Sequence, residues 1–122
     1  MTELDDLRRA AIAWCDAWNR RDLDSVMAHY ADAVEFNSPT VRERWGRNDG
    51  WLRGKDELRA NFAIGIAKEG LHFEFIDILY GANATCILYR RENGAIVADL
   101  VEFDGSRHAI RVVACYGMPR DR

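Results

Sequence analysis

Long apolar runs, proline and an excess of basic charge are all scarce in this sequence. Two prolines and nine glycines among 122 residues exclude a collagen-like or Pro/Gly-rich low-complexity chain. No apolar run reaches the roughly 18 residues of a membrane span, and the polar, acidic start from Met1 to Asp6 is unlike a secretory signal. Seventeen Lys and Arg stand against twenty Asp and Glu, a net charge of −3, so no global field draws nucleic acid or acidic lipid. Three cysteines, Cys15, Cys86 and Cys115, are odd in number and far apart, so no disulfide framework is signalled. Their apolar neighbours predict reduced, buried thiols in a cytoplasmic protein. His29, His72 and His108 are scattered without metal-ligand spacing, and Gly46, Gly50 and Gly54 lack a strand-to-helix phosphate fingerprint. Neither a metal nor another cofactor is expected.

What remains is an ordinary apolar fraction of 48% in a chain long enough for one domain, taken as residues 1–122. Leu4, Leu7, Ala11, Trp14 and Trp18 recur at three- and four-residue steps, which predicts an N-terminal helix capped by Thr2. Asp22 opens a second, shorter helix with Leu23, Val26, Met27 and Tyr30 on its apolar face. A short strand, Val34 to Asn37, ends at Ser38-Pro39. Residues 40–54 read as a long loop in which Arg42, Arg44, Arg47 and Arg53 alternate with Trp45 and Trp51. Arg with Trp suits stacking on nucleobases or clamping an acidic ligand, but Glu43 and Asp49 interrupt the run, and the favoured reading is a solvated lid whose tryptophans close one end of the fold. A third helix follows, from Asp56 to Lys68, stopped by Gly70.

Beyond Gly70 the apolar period changes to two. Four strands are predicted over 71–80, 84–91, 95–103 and 107–117, with Asn93-Gly94 and Asp104-Gly105 as hairpin turns. The order α-α-β-α-β-β-β-β makes an α+β domain, with helices covering one face of a curved antiparallel sheet and leaving a hollow between.

The segment AWNRRDLDSVMAHYADAVEFNSP, with GKDELRANF, VADLVEFDG and VVACYG further on, resembles the nuclear-transport-factor-2-like (NTF2-like) superfamily. The likeness is closest to its SnoaL-like and ketosteroid-isomerase-like members. That resemblance implies a cone, or cystatin-like roll, with one deep apolar pocket for a small hydrophobic ligand, and a homodimer formed through the sheet. It does not fix an activity, because the superfamily holds isomerases, cyclases, dehydratases, hydrolases and non-catalytic binding modules. The isomerase pattern itself is broken. Ser38 stands where the family has a carboxylate base, Trp14 where it has a tyrosine donor, and Val101 where it has a protonated acid.

Strand alternation puts Val97, Asp99, Val101 and Phe103 on the concave side, with Ile110, Val112, Ala114 and Tyr116 beside them. A four-residue turn at Asp104-Gly105 sets Asp99 opposite Val112. A two-residue turn at Asn93-Gly94 sets Leu88 opposite Asp99 and makes Arg90 its diagonal neighbour. The same arithmetic at Ala82-Asn83 pairs Asp77 with Leu88. Asp99 is then the candidate proton carrier, since a carboxylate on an apolar wall has its charged form disfavoured, or else an ion-pair partner of Arg90. Trp14, Tyr30, Ser38, Arg90, Val101, Val112 and Tyr116 are the candidate ligand contacts. The functional reading is acid–base chemistry on a hydrophobic carbonyl- or hydroxyl-bearing substrate. The alternative is a non-catalytic ligand-binding or dimerising module.

Overall fold

A computed structural model describes residues 2–120. Helix α1 (Glu3–Asn19) starts in a reciprocal capping box, in which the Thr2 hydroxyl accepts from the Asp5 N–H and the Asp5 carboxylate accepts from the Thr2 N–H. Helix α2 (Leu23–Met27) is capped by Asp22, as its sequence indicates. Strand β1 (Tyr30–Asn37) begins four residues earlier than expected, so Tyr30 belongs to the sheet and not to α2.

The expected loop 40–54 is largely structured. Ser38 caps helix α3 (Pro39–Trp45) by accepting from the Thr40 N–H, Pro39 fills the first turn, and Gly46 closes it at φ 66°. Strand β2 (Trp51–Arg53) then pairs antiparallel with β1. The segment is tied down: Arg47 grips Glu57 through two hydrogen bonds of 2.7 and 2.9 Å, and the Arg53 N–H donates to the same carboxylate. These donors, the Arg47 guanidinium first, hold the Glu57 carboxyl down at about 2. The segment is thus a packed corner of the domain and not a solvated lid. Trp51 carries the Arg111 guanidinium over its ring at 4.8 Å.

Helix α4 (Lys55–Ile66) leads to strands β3 (Glu74–Tyr80), β4 (Ala84–Arg90), β5 (Ile96–Phe103) and β6 (Ala109–Tyr116). The six-stranded sheet has the order β2-β1-β6-β5-β4-β3, with β1 parallel to β6 and the other neighbours antiparallel. The α+β layout, its helices and its meander are as expected, with α3 and β2 added in the corner. Among the described residues no helix is long and apolar enough to cross a membrane.

One polar clamp fixes how α1 lies across the sheet. The Asn19 side chain donates to the Phe73 carbonyl at 2.9 Å and accepts from the Phe73 N–H at 2.8 Å. Between helices and sheet lies an aromatic cluster. Trp14, Trp18, Phe62, Phe73 and Tyr89 pack with ring centroids 4.6–6.2 Å apart, in edge-on, tilted and stacked pairs. This cluster occupies much of the hollow that the curved sheet encloses.

The turns set the register, and two differ from expectation. Glu92-Asn93-Gly94 is a three-residue loop in which only Gly94 is left-handed (φ 82°), not the two-residue turn with positive φ at both Asn93 and Gly94. Asp99 therefore faces Ile87, and Leu88 and Arg90 turn to the opposite side of the sheet. In the last hairpin Asp99 pairs with Ala114 and Val101 with Val112, two residues from the expected register. The shift between Glu102 and Phe103 leaves Ala109, in place of Ile110, on the buried side. The Asp77–Leu88 pair forms as expected, but Asp77 lies half-exposed beside Arg8 and does not join Asp99 as a second carboxylate.

Candidate functional site

Asp99 is the buried carboxyl of the concave face. Strand β5 carries it inward between Val97 and Val101, and it is 3% exposed. Two cavities meet at it. One, of about 100 Å³, lies under the first half of α1, lined by Leu7, Ala11, His29, Ile78, Thr85 and Val101 among others. The second, of about 40 Å³, opens towards α3 and α4 and is lined by Arg44, Asn61, Arg91 and Tyr116 together with the aromatic cluster. Trp14, like Asp99, borders both. In place of the one deep pocket implied by the resemblance there are thus two cavities that share Trp14 and Asp99.

The setting of Asp99 is that of a group at ease without charge. Burial pushes its carboxyl up to about 7, against the pull of the Tyr89 hydroxyl, 3.5 Å from Oδ1, and of the Arg91 charge. Around it stand Cys15 from α1, Tyr30 from β1, Tyr89 from β4 and Tyr116 from β6, and each of these groups, like Cys86 on the other face of β4, feels its charge. Asp99 makes no ion pair among the described residues.

The expected partner Arg90 is not there. It lies on the outer face, its Nε 3.5 Å from Glu74 and its Nη1 donating to the Gly94 carbonyl. The neighbouring Arg91 takes the inward position. Its guanidinium sits 5.1 Å over the Phe73 ring, is paired twice with Glu92 and approaches the Tyr116 hydroxyl at 3.4 Å. Burial works against the Glu92 charge, yet the hydrogen bonds from Arg91 and Lys68 bring its carboxyl down to about 2.

The other candidates separate into three groups. Tyr30, Trp14 and Val101 line the larger cavity, with the Trp14 indole donating to the Tyr30 hydroxyl. Tyr116 lies in the wall of the smaller cavity, where burial raises its phenol and the Arg91 charge and the Ser38 hydroxyl oppose that rise. Val112 and Ser38 border neither cavity: Val112 is core, and Ser38 is the cap of α3.

Thr85 and Arg44 join the site: the sequence gives no mark of Thr85 and sets Arg44 in a loop read as a lid. Thr85 follows from the true β4 register, which places it inward with Ile87 and Tyr89. Its hydroxyl is buried and has no hydrogen-bond partner among the described residues, and the indole N–H of Trp18 is in the same state. Arg44 follows from helix α3, whose Ser-Pro cap is its signal. Of the cysteines only Cys15 is buried, its thiol pushed up to about 12 first by burial and then by the charges of Asp16 and Asp99. Cys86, on β4, is half-buried and Cys115, on β6, is exposed. No group of three or more His, Cys, Asp or Glu side chains suited to a metal ion occurs among the described residues.

Comparison with known proteins places this geometry in a family. The model of the SnoaL-like domain matches residues 11–122. A SnoaL-like protein of unknown function from Burkholderia thailandensis is 33% identical, with a TM-score of 0.87 over 91% of this chain and 93% of that one. An NTF2-like protein from Burkholderia xenovorans (18% identical, TM-score 0.74, 97% and 88% of the two chains) shares the fold. So does a protein of cystatin-like fold from Methylobium petroleophilum (16% identical, TM-score 0.74, 98% and 81%). Among curated proteins none matches. The parallel β1–β6 pair and the helices laid over the sheet therefore belong to a known architecture: this chain is a member of the SnoaL-like family, with the NTF2-like fold.

Proposed function

We propose that the protein carries out acid–base chemistry on a small hydrophobic molecule bearing a carbonyl or hydroxyl, with Asp99 as the proton carrier. One observation carries this reading: a fully buried carboxyl, outside any ion pair among the described residues, forms the wall shared by two cavities. A carboxyl balanced near neutrality is present in both forms at working pH. It protonates a ketone oxygen in one form and accepts an α-proton in the other, which is what efficient general acid–base catalysis needs. The larger cavity gives the substrate a mostly apolar seat of about 100 Å³. Thr85 supplies a second polar group in that wall. Such proton traffic requires no bound cofactor.

The test is hydrogen–deuterium exchange at the α-carbon of cyclopentanone or cyclohexanone in D₂O, followed by NMR. Exchange above the buffer rate that disappears in Asp99→Asn supports the reading. Exchange no faster than buffer for the small-ring ketones, with Asp99 titrating as an ordinary carboxyl, overturns it.

A second reading, a non-catalytic binding or dimerising module, is favoured by how much of the hollow the aromatic cluster fills. Ring ketones that bind with no exchange would select it. Under either reading the chain is proposed to pair with a second copy through the outer sheet face. There Leu100, 48% exposed, lies between Cys86 and Val113, and Leu79 pairs with Cys86 on the next strand, with no helix of the described residues covering them.

A further inference from the structure

The smaller cavity differs in chemistry from the larger. Its polar lining is rich in donors: the guanidiniums of Arg44 and Arg91, the Tyr116 hydroxyl and the Asn61 side chain, with Asp99 at its inner end. Arg91, Arg44 and Tyr116 line the same cavity, and both positive charges oppose the rise that burial causes in the Tyr116 phenol. Arg91 reaches the phenol oxygen at 3.4 Å while it pairs with Glu92, at 3.0 and 3.2 Å. Arg44 has no such match. Its Nη1 donates to the Asn61 carbonyl at 3.3 Å and to the Asn61 Oδ1 at 3.2 Å, and no carboxylate pairs with it among the described residues. The Asn61 Oδ1 also accepts from the Trp45 indole at 3.1 Å, so this amide oxygen is saturated.

The geometry points to a binding site for a small monocarboxylate at the mouth of this cavity, held by Arg44 and the Arg91–Tyr116 pair. The donor set selects an anion. Arg44 has no carboxylate partner among the described residues, and Glu92 is shared between Arg91 and Lys68, so the site carries positive charge that a single carboxylate offsets. A phosphate dianion would bring a second negative charge towards Asp99. A volume of about 40 Å³ admits a carboxylate with a short carbon stub, and planar guanidinium donors suit its two oxygens. This deepens the functional reading above and rests on it in one respect. If Asp99 moves the proton, the substrate class narrows to organic acids whose reacting carbon lies within a bond or two of the carboxylate. The anion site itself stands on its own donors.

The test is titration with acetate and propionate, with acetamide and phosphate as controls, followed by ¹H–¹⁵N NMR of the tryptophan indoles. Trp18, which lines this cavity and whose indole N–H has no partner among the described residues, is the reporter. Saturable movement of the Trp18 resonance with both carboxylates, absent with acetamide, is the expected result. Arg44→Gln is expected to weaken binding by about tenfold and Arg44→Lys to restore part of it. Tyr116→Phe provides a second variant outside α3. Equal response to acetamide, phosphate binding as tight as acetate, or an affinity unchanged in both Arg44→Gln and Tyr116→Phe would overturn the inference. Because these readouts do not involve proton transfer, they can fail while the ketone exchange succeeds, and the reverse.

Discussion

The Trp14 indole nitrogen donates to the Tyr30 hydroxyl at 3.0 Å, joining the middle of α1 to the first residue of β1 inside the core. Trp14 borders both cavities and Tyr30 the larger one, so this bond is part of the partition between them. The Trp14 indole thus spends its donor on the scaffold.

Tyr30→Phe removes the acceptor and leaves the indole N–H buried without a partner. The expected cost is about 1–3 kcal/mol, the usual range for stranding one buried polar group. Urea unfolding monitored by tryptophan fluorescence measures it. A phenylalanine ring would keep the contact that Tyr30 makes with Phe62 at 5.5 Å, so a loss far above that range would point to repacking of the aromatic cluster.

Asp99 makes stability fall as pH rises. Its folded carboxyl stands at about 7 against an ordinary 3.8, so the folded state favours the neutral form. The contribution is complete below about pH 4 and is lost as pH climbs through 7, a difference worth ~4 kcal/mol across that window. Asp99→Asn should show no such loss. Measured against wild type, the variant should gain stability between pH 5 and pH 8.5. Glu57 and Glu92 work in the opposite sense and at lower pH, losing their contribution as pH falls from about 4.5 towards 2.

Thr85→Val is expected to stabilise the protein. The hydroxyl of Thr85 is buried among Ile78, Ile87, Val101 and other cavity residues with nothing to bond among the described residues, and valine has the same shape without the polar atom. A gain of about 1 kcal/mol, seen as a rise of a few degrees in Tm, is the expected outcome. A fall in Tm would show that a water or ligand normally satisfies this oxygen.

Leu100→Glu tests the proposed pairing of two copies. Leu100 is half-exposed at the centre of the outer face, so a charge there costs the monomer little and an apolar interface much. Light scattering should report a dimer for wild type at micromolar concentration and a monomer for the variant, with far-UV circular dichroism unchanged.

The inward set Val97, Asp99 and Val101 is legible from alternation alone, because strand β5 is regular and its two faces differ sharply in polarity. The neighbours of Asp99 are not. They depend on whether a turn contains two residues or three, and Asn-Gly is compatible with both. In the three-residue form Asn93 keeps negative φ, and the single left-handed Gly94 moves Arg90 out and Arg91 in. Helix α3 does carry a signal. Ser38, Pro39 and Gly46 are a cap, a first-turn proline and a left-handed stop at helical spacing, but the arginines from Arg42 to Arg53 outweigh it and read as a solvated loop. The division of the pocket has no signal in the chain, because it arises from how Trp14 and the aromatic rings meet in three dimensions.

The hairpin at 92–94 carries a consequence beyond its own turn. Were the chain to close on Asn93-Gly94 alone, Glu92 would pair with Ala95, and Cys86, Leu88 and Arg90 would replace Thr85, Ile87 and Tyr89 beside Asp99. The buried acid would then meet a fixed cation, its proton would be released at ordinary carboxylate acidity, and the same eight residues of β5 would build an ionic strut. Whether Glu92 stays in the bend or enters the ladder thus decides whether this acid sits among apolar and aromatic groups or beside a guanidinium.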